Sequence, residues 1–290
     1  MTANPVVIVH LSDLHFGGFV DLPQIESLEE FIPSLGATAA VVSGDLTQRA
    51  RHGEFQASHA FFNRIRAHLP LLVIPGNHDI EWWKSPFGLF GQSVKYRKYS
   101  TYFRPLTPVL ETPGAIVAGA LSAYGVAFGS LTWNLRDLAV KGHLPRSETT
   151  RVKAIFDAAE PGLAKILTLH HNVLAGGISG RMGLASWRSA HRRLLATGAD
   201  VVLCGHDHQE GAGQVRGSLA VSTAGTHSSR TRRGRPSVFN LVTIDSRAVH
   251  VQHYRWEPAG RRFFKSDISS FARRTPERVA VSVAGGEGGG

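Results

Sequence analysis

Five short stretches of this chain carry groups that bind metals or move protons. They are Ser12-Asp13-Leu14-His15, Ser43-Gly44-Asp45, Gly76-Asn77-His78-Asp79, His170-His171-Asn172 and Gly205-His206-Asp207-His208. Asp, His and Asn offer carboxylate, imidazole and amide oxygen, a hard-to-borderline donor set that suits manganese, iron or zinc. Asp13 and His15 lie two residues apart, as do His206 and His208. In extended chain an i, i+2 pair points to one side, so each pair can reach a single region. The clusters hold no thiolate, which argues against a structural Cys-type zinc site. Two cations about 3.5–4 Å apart would clamp the attacking and leaving oxygens of an in-line displacement, typically at phosphorus. The plain reading of one histidine is packing, and of one Asp or Asn is turn chemistry. Five such clusters in one chain call for more than that.

Each cluster needs an element to hold it, and each follows a short apolar run. Residues 6–11, 39–42, 71–74, 165–169 and 201–204 are rich in Val, Ile and Leu and apolar on both faces, as strands of a covered sheet are. Helical spacing runs through residues 25–35, 54–69, 151–159 and 187–197, the third with Ser147 and Glu148 as a cap region. Alternating strands and helices predict an α/β fold. In such sheets ligands gather beyond the carboxyl ends of the strands, which is where all five clusters fall. Residues 215–222, 238–244 and 249–256 are strand-like with few helices between, which predicts antiparallel pairing at a sheet edge.

Taken together, Asp13-x-His15, Gly44-Asp45, Gly76-Asn77-His78-Asp79, His170 and Gly205-His206-x-His208 resemble the signature of calcineurin-like metallophosphoesterases, in order and in approximate spacing. Leu11-Ser-Asp-Leu-His-Phe-Gly17, Gly44-Asp-Leu-Thr47 and Ala224-Gly-Thr226 followed by Ser228-Ser229-Arg230 resemble the bacterial class III cyclic-AMP phosphodiesterase branch. The resemblance implies a four-layer αββα sandwich, two mixed sheets flanked by helices. It also implies one metal on Asp13, His15, Asp45 and His208 and a second on Asp45, Asn77, His170 and His206, with Asp45 bridging. A hydroxide shared by the ions would attack a phosphodiester, and His78 would face the leaving group with Asp79 orienting its ring. The family often has Pro in the fourth block, where this chain has His170-His171-Asn172; His170 follows the strand directly and is the expected ligand, with His171 the alternative. Arg230, His171 and His143 are candidate substrate contacts. The expected metals are manganese, iron or zinc, with nickel, cobalt and magnesium as further options.

The 290 residues carry 32 Lys+Arg against 22 Asp+Glu, a net charge of +10 that favours anionic partners. A small phosphodiester such as 3′,5′-cyclic AMP is the favoured substrate. A nucleotide-linked lipid pyrophosphate, with peripheral membrane contact, and a nucleic acid are the alternatives. At 42 % hydrophobic residues the chain has enough apolar mass for a sizeable core. No run of about 18 apolar residues predicts a membrane-spanning helix. The N-terminal stretch lacks a positive region and does not read as a signal peptide. The single cysteine, Cys204, fits a reducing, cytoplasmic setting. Residues 1–270 are expected to form one domain and residues 271–290, ending in a Gly-rich run, a tail. Residues 82–104 interleave aromatic and basic side chains: helix packing, or a lid with a stacking surface for a base or an apolar entrance for a lipid. The oligomeric state is left open, a dimer included.

Overall fold

The computed structural model describes residues 4–85, 89, 92–126, 141–231 and 233–274. Twelve strands are described: β1 Val6–Leu11, β2 Ala39–Val42, β3 Leu71–Val73, β4 Val109–Thr112, β5 Ala115–Gly119, β6 Ala164–Thr168, β7 Val201–Cys204, β8 Gly211–Val215, β9 Leu219–Thr223, β10 Val238–Ile244, β11 Ala248–Glu257 and β12 Arg262–Ala272. They form two six-stranded sheets, ordered β12-β11-β10-β1-β2-β3 and β4-β5-β6-β7-β9-β8. Both are mixed. β1, β2 and β3 run parallel in the first, and β5, β6, β7 and β9 in the second. The C-terminal strands add antiparallel pairs at the edges, as the sequence pattern predicts.

Apolar residues on both strand faces are explained by three apolar layers. Val9 and Leu11 of β1 share a cluster with Phe55, Phe61 and Phe62 of α2 (His52–Arg66) and with Ile25 and Leu28 of α1 (Leu22–Phe31). On the other face, Val6 and Ile8 meet Ile166 and Leu203 of the second sheet. That sheet in turn packs Leu167 and Val202 against Val152 and Phe156 of α4 (Arg146–Ala158) and Leu194 of α5 (Trp187–Ala196). Helices, sheet, sheet and helices make the four layers of an α/β sandwich.

Several boundaries differ from the sequence pattern. The first helix passes into a 3₁₀ turn at Ile32–Leu35, because Pro33 has no N–H for the α ladder. α4 starts at Arg146 rather than 151: its first buried position is Thr149, so apolar spacing alone begins too late. Residues 215–222 are not one strand but part of a hairpin, turned at Arg216 and Gly217, both with positive φ. β12 reaches Ala272, beyond the expected domain end at 270. Arg273 then pairs with Asp200 through two hydrogen bonds of 3.0 Å and donates to the carbonyls of Leu163 and Asp245, joining both sheets at the end opposite the ligand clusters. The Gly-rich end lies outside the described residues.

Part of the 82–104 segment is packing. Its helix α3 (Arg97–Tyr102) buries Tyr99, whose ring meets Phe55 of α2, while Phe103 meets Phe55 and Phe62. Trp82 and Trp83 are exposed. Phe87 and Phe90 lie outside the described residues.

Candidate metal centre

The five clusters converge. β1, β2 and β3 deliver three of them from the first sheet, and β6 and β7 deliver two from the second. Main-chain hydrogen bonds tie the first two loops together, Asp13 N to Gly44 O and His15 N to Asp45 O, each 3.0 Å. The loops are crowded to the point that glycine is obligatory between them. A Cβ on Gly44 would stand 2.7 Å from the His170 ring, and one on Gly76 would stand 2.1 Å from Asp45 Oδ1. Asp13, His15, Asp45, His206 and His208 all have φ between 49° and 76°, a left-handed backbone that costs a non-glycine residue about 1–3 kcal/mol. The strain sits on the candidate ligands themselves, as it does where surrounding structure imposes a functional geometry.

Two groups of donor atoms result, Asp13, His15, Asp45 and His208 in one and Asp45, His170 and His206 in the other. Asp45 belongs to both. In the first, His15 Nε2 and His208 Nε2 face each other at 3.0 Å, and Asp13 Oδ1 lies 3.3 Å from His208 Nε2. In the second, His170 Nε2 lies 3.3 Å from Asp45 Oδ2 and from His206 Nδ1. The Asn77 amide oxygen lies 3.0 Å from both imidazoles and completes the set.

The outer atoms of these rings fix which nitrogen faces inward. His170 Nδ1 donates to the Ser43 carbonyl and His208 Nδ1 to the Arg230 carbonyl, both at 2.8 Å, so that in the neutral ring each Nε2 lone pair is aimed into the site. Holding the far nitrogen in this way sets ring orientation and tautomer in metal sites.

A cation fits this arrangement on electrostatic grounds. Asp13 Oδ2 accepts the His206 main-chain N–H at 2.9 Å, but Oδ1 is buried and accepts no hydrogen bond, and a buried carboxylate oxygen left so is costly unless a positive charge compensates it. Burial opposes ionisation of Asp13 and Asp45, yet the surrounding imidazoles hold both carboxyls well below the usual range. Conversely, burial would depress His170, but Asp45 outweighs it and drives the ring up to about 9. The site is short of positive charge.

His78 belongs to neither donor group. Its main-chain N–H donates to Asp45 Oδ1 and its Nδ1 to the Gln48 carbonyl, both at 2.8 Å, and the residue lines a cavity of about 440 Å³. The expected Asp79–His78 pairing is not formed. The Asp79 carboxylate instead accepts from the main-chain nitrogens of Leu46, Thr47 and Gly76 and from the Thr47 hydroxyl. Burial and the Asp45 charge push its carboxyl up to about 6. Asp79 clamps the loop after β2 to the loop after β3.

The other candidates divide. Arg230 lines the cavity with Asp45, Asn77, His78, His206, His208 and Thr231. Its guanidinium lies 5.3 Å from the Phe19 ring and donates to Gln48 Oε1 at 3.4 Å. His171 hydrogen-bonds the Ser122 hydroxyl through Nδ1 at 2.9 Å and packs its ring on His206, so it is His170 that turns toward Asp45. His143 packs edge-on against Tyr124. Gln48, whose carbonyl holds His78 and whose side chain holds Arg230, is absent from the sequence reading. A main-chain carbonyl leaves no trace in residue type, so only structure reveals that role.

A family model described as calcineurin-like phosphoesterase matches residues 6–210. The glycerophosphodiester phosphodiesterase GpdQ of Enterobacter lignolyticus (strain SCF1) is 26% identical over 243 residues, spanning 77% of this chain and 78% of that protein. Among solved structures, a dimetal phosphatase from Danio rerio covers 93% of this chain and 100% of its own, with a TM-score of 0.63 and 11% identity. A purple acid phosphatase from yellow lupin (Lupinus luteus) seeds covers 96% of this chain with the same TM-score and identity. This chain spans only 55% of that longer protein. At such identities the structural likeness shows the fold.

Proposed function

Because this chain belongs to the calcineurin-like phosphoesterase family, and is thereby a metal-dependent phosphoester hydrolase, we propose that it hydrolyses a small phosphodiester at a two-cation centre. One cation takes Asp13, His15, Asp45 and His208, and the other takes Asp45, Asn77, His170 and His206. The observation that carries this reading is Asp45, whose carboxylate is common to both donor groups. Bound cations supply Lewis-acid activation of water and neutralise charge at phosphorus; manganese, iron and zinc suit the donor set.

The chain's own residues do the rest. His78, held at Nδ1 by the Gln48 carbonyl, lines the cavity, and as the imidazolium, with a second proton on Nε2, it can stabilise the departing oxygen or give it that proton and remain as the neutral Nδ1–H ring. Arg230 offers a charge-assisted donor to a phosphate oxygen across the same cavity. His171 backs the His206 ring and would act on substrate only through it.

For the substrate, the Leu11–Gly17 and Ala224–Arg230 motifs favour a 3′,5′-cyclic nucleotide. A second reading, a glycerophosphodiester, is favoured by the 26% identical relative that bears that activity in its name. Purified protein loaded with Mn²⁺ should hydrolyse bis(p-nitrophenyl) phosphate, and a panel of cyclic AMP, glycerophosphocholine, a nucleotide-linked lipid diphosphate and single-stranded DNA ranks the natural classes. Fully loaded protein that turns over none of these overturns the proposal.

A further inference from the structure

One row of β1 leaves the apolar pattern. Val6 and Ile8 pack between the sheets, and the next residue on that face is His10, fully buried. Burial holds its ring neutral, with a pKa pushed down to about 3, so it carries one ring proton. Its neighbours decide which nitrogen has it. The two amide hydrogens of Asn240 go to Ser222 Oγ and the Thr223 carbonyl, both at 2.8 Å. Ser222 Oγ accepts there, and since its own hydrogen finds no other acceptor among the described residues, it gives that hydrogen to His10 Nδ1 at 2.9 Å. His10 Nε2 is therefore the protonated atom, and it donates to Ser43 Oγ at 3.0 Å. The Ser43 hydroxyl in turn reaches the Leu11 carbonyl at 3.4 Å. At the far end His253 Nδ1 donates to Asn240 Oδ1 at 2.7 Å, since an amide oxygen only accepts.

Every proton thus points one way, from β11 through β10, across to β9 in the other sheet, and back through β1 to Ser43. The Ser43 carbonyl is the acceptor of the His170 Nδ1 hydrogen. We propose that His10 is a positioning residue for the metal centre: its Nε2–H holds Ser43, and the Ser43 carbonyl holds His170. This rests on the two-cation reading of the site and adds to it a residue that touches neither cation nor substrate.

Two substitutions of similar cost separate this role from mere packing. In His10→Gln the amide nitrogen reaches the place of Nε2 and can still donate to Ser43. In His10→Asn the side chain reaches only the place of Nδ1 and serves Ser222 alone. Calorimetric titration with Mn²⁺ should find His10→Gln within about threefold of wild type, and one site of His10→Asn weakened about tenfold, the low end of the roughly 10–100-fold cost of losing a partner bonded directly to a ligand, because His10 acts one residue further out. Side-chain ¹⁵N NMR of the metal-free protein should show the His170 Nδ1–H preserved in the Gln variant and shifted in the Asn variant. Equal Mn²⁺ affinities in the two variants, or an unmoved His170 signal in His10→Asn, overturns the proposal. If His10→Asn does not fold, Ser43→Ala makes the same test with a smaller change. If wild-type protein takes up no Mn²⁺, the two-cation reading fails, and the NMR comparison still decides the role of His10.

Discussion

His170 and His208 do the same thing from different surroundings. Each turns Nε2 inward and hands its Nδ1 hydrogen to a main-chain carbonyl at 2.8 Å. His170 is wholly buried, and its carbonyl belongs to Ser43, beneath which the buried chain of His10, Ser222 and Asn240 runs between the sheets. His208 keeps 13% of its side chain exposed, and its carbonyl belongs to Arg230, in a basic surface loop. The inner half of the centre is therefore set by folding itself. The outer half is set by a loop whose guanidinium also lines the adjoining cavity. A change in that loop reaches substrate and ligand geometry together, whereas a change at Ser43 reaches the ligand alone.

The harshest way to break this contrast is Asp45→Ala, which removes the donor that both halves share. Metal content measured by atomic emission should fall from two ions per chain to none, and phosphodiester hydrolysis to background. His78→Ala should lower kcat by about 10²–10⁴-fold with metal content unchanged, since His78 is in neither donor group; loss of metal in this variant would instead make His78 part of one half. The contrast sharpens when Asn77→Ala is set beside Arg230→Ala. The first removes a direct donor and should weaken one metal by more than the roughly 100-fold at which loss of an outer partner tops out. The second keeps the carbonyl that His208 needs, so it should raise KM about tenfold at full metal content.

The smallest effect is on stability. His10 stays neutral in the fold, while in the unfolded chain it takes a proton near its ordinary 6.5. Its contribution is thus intact above pH 6.5 and declines as the pH falls toward 3, by about 1.4 kcal/mol per pH unit. Urea unfolding of metal-free protein at pH 7 and pH 5 should show His10→Gln losing less stability than wild type over that interval. Parallel losses would mean that the buried ring takes up a proton in the fold.

The elements that hold the centre were the legible part of the fold. Residues 39–42 and 201–204 carry unbroken apolar runs because helices cover one face and the opposite sheet the other, and their boundaries match β2 and β7. The alternating edge strand β12 has most of its residues exposed and left no such run. Within the site, residue type exposes donors such as Asp13 and His206 because few other side chains serve a cation. It conceals the carbonyls of Ser43, Gln48 and Arg230, which any residue could supply. The Asp79–His78 expectation failed for a related reason. Neighbours in sequence diverge in a tight turn, and Asp79 turned back to the loop after β2. His10 stands inside an apolar strand run and is fully buried; its reach toward His170 depends on Ser222 and Asn240, more than 200 residues away in sequence.

Arg273 stands far from any of this chemistry, yet it bears on it. With Asp200, Leu163 and Asp245 it rivets the two sheets at the pole opposite the two donor groups. Three clusters ride on one sheet and two on the other, so the seating of the sheets, shared by this contact and the apolar layer between them, sets how the two groups of loops meet.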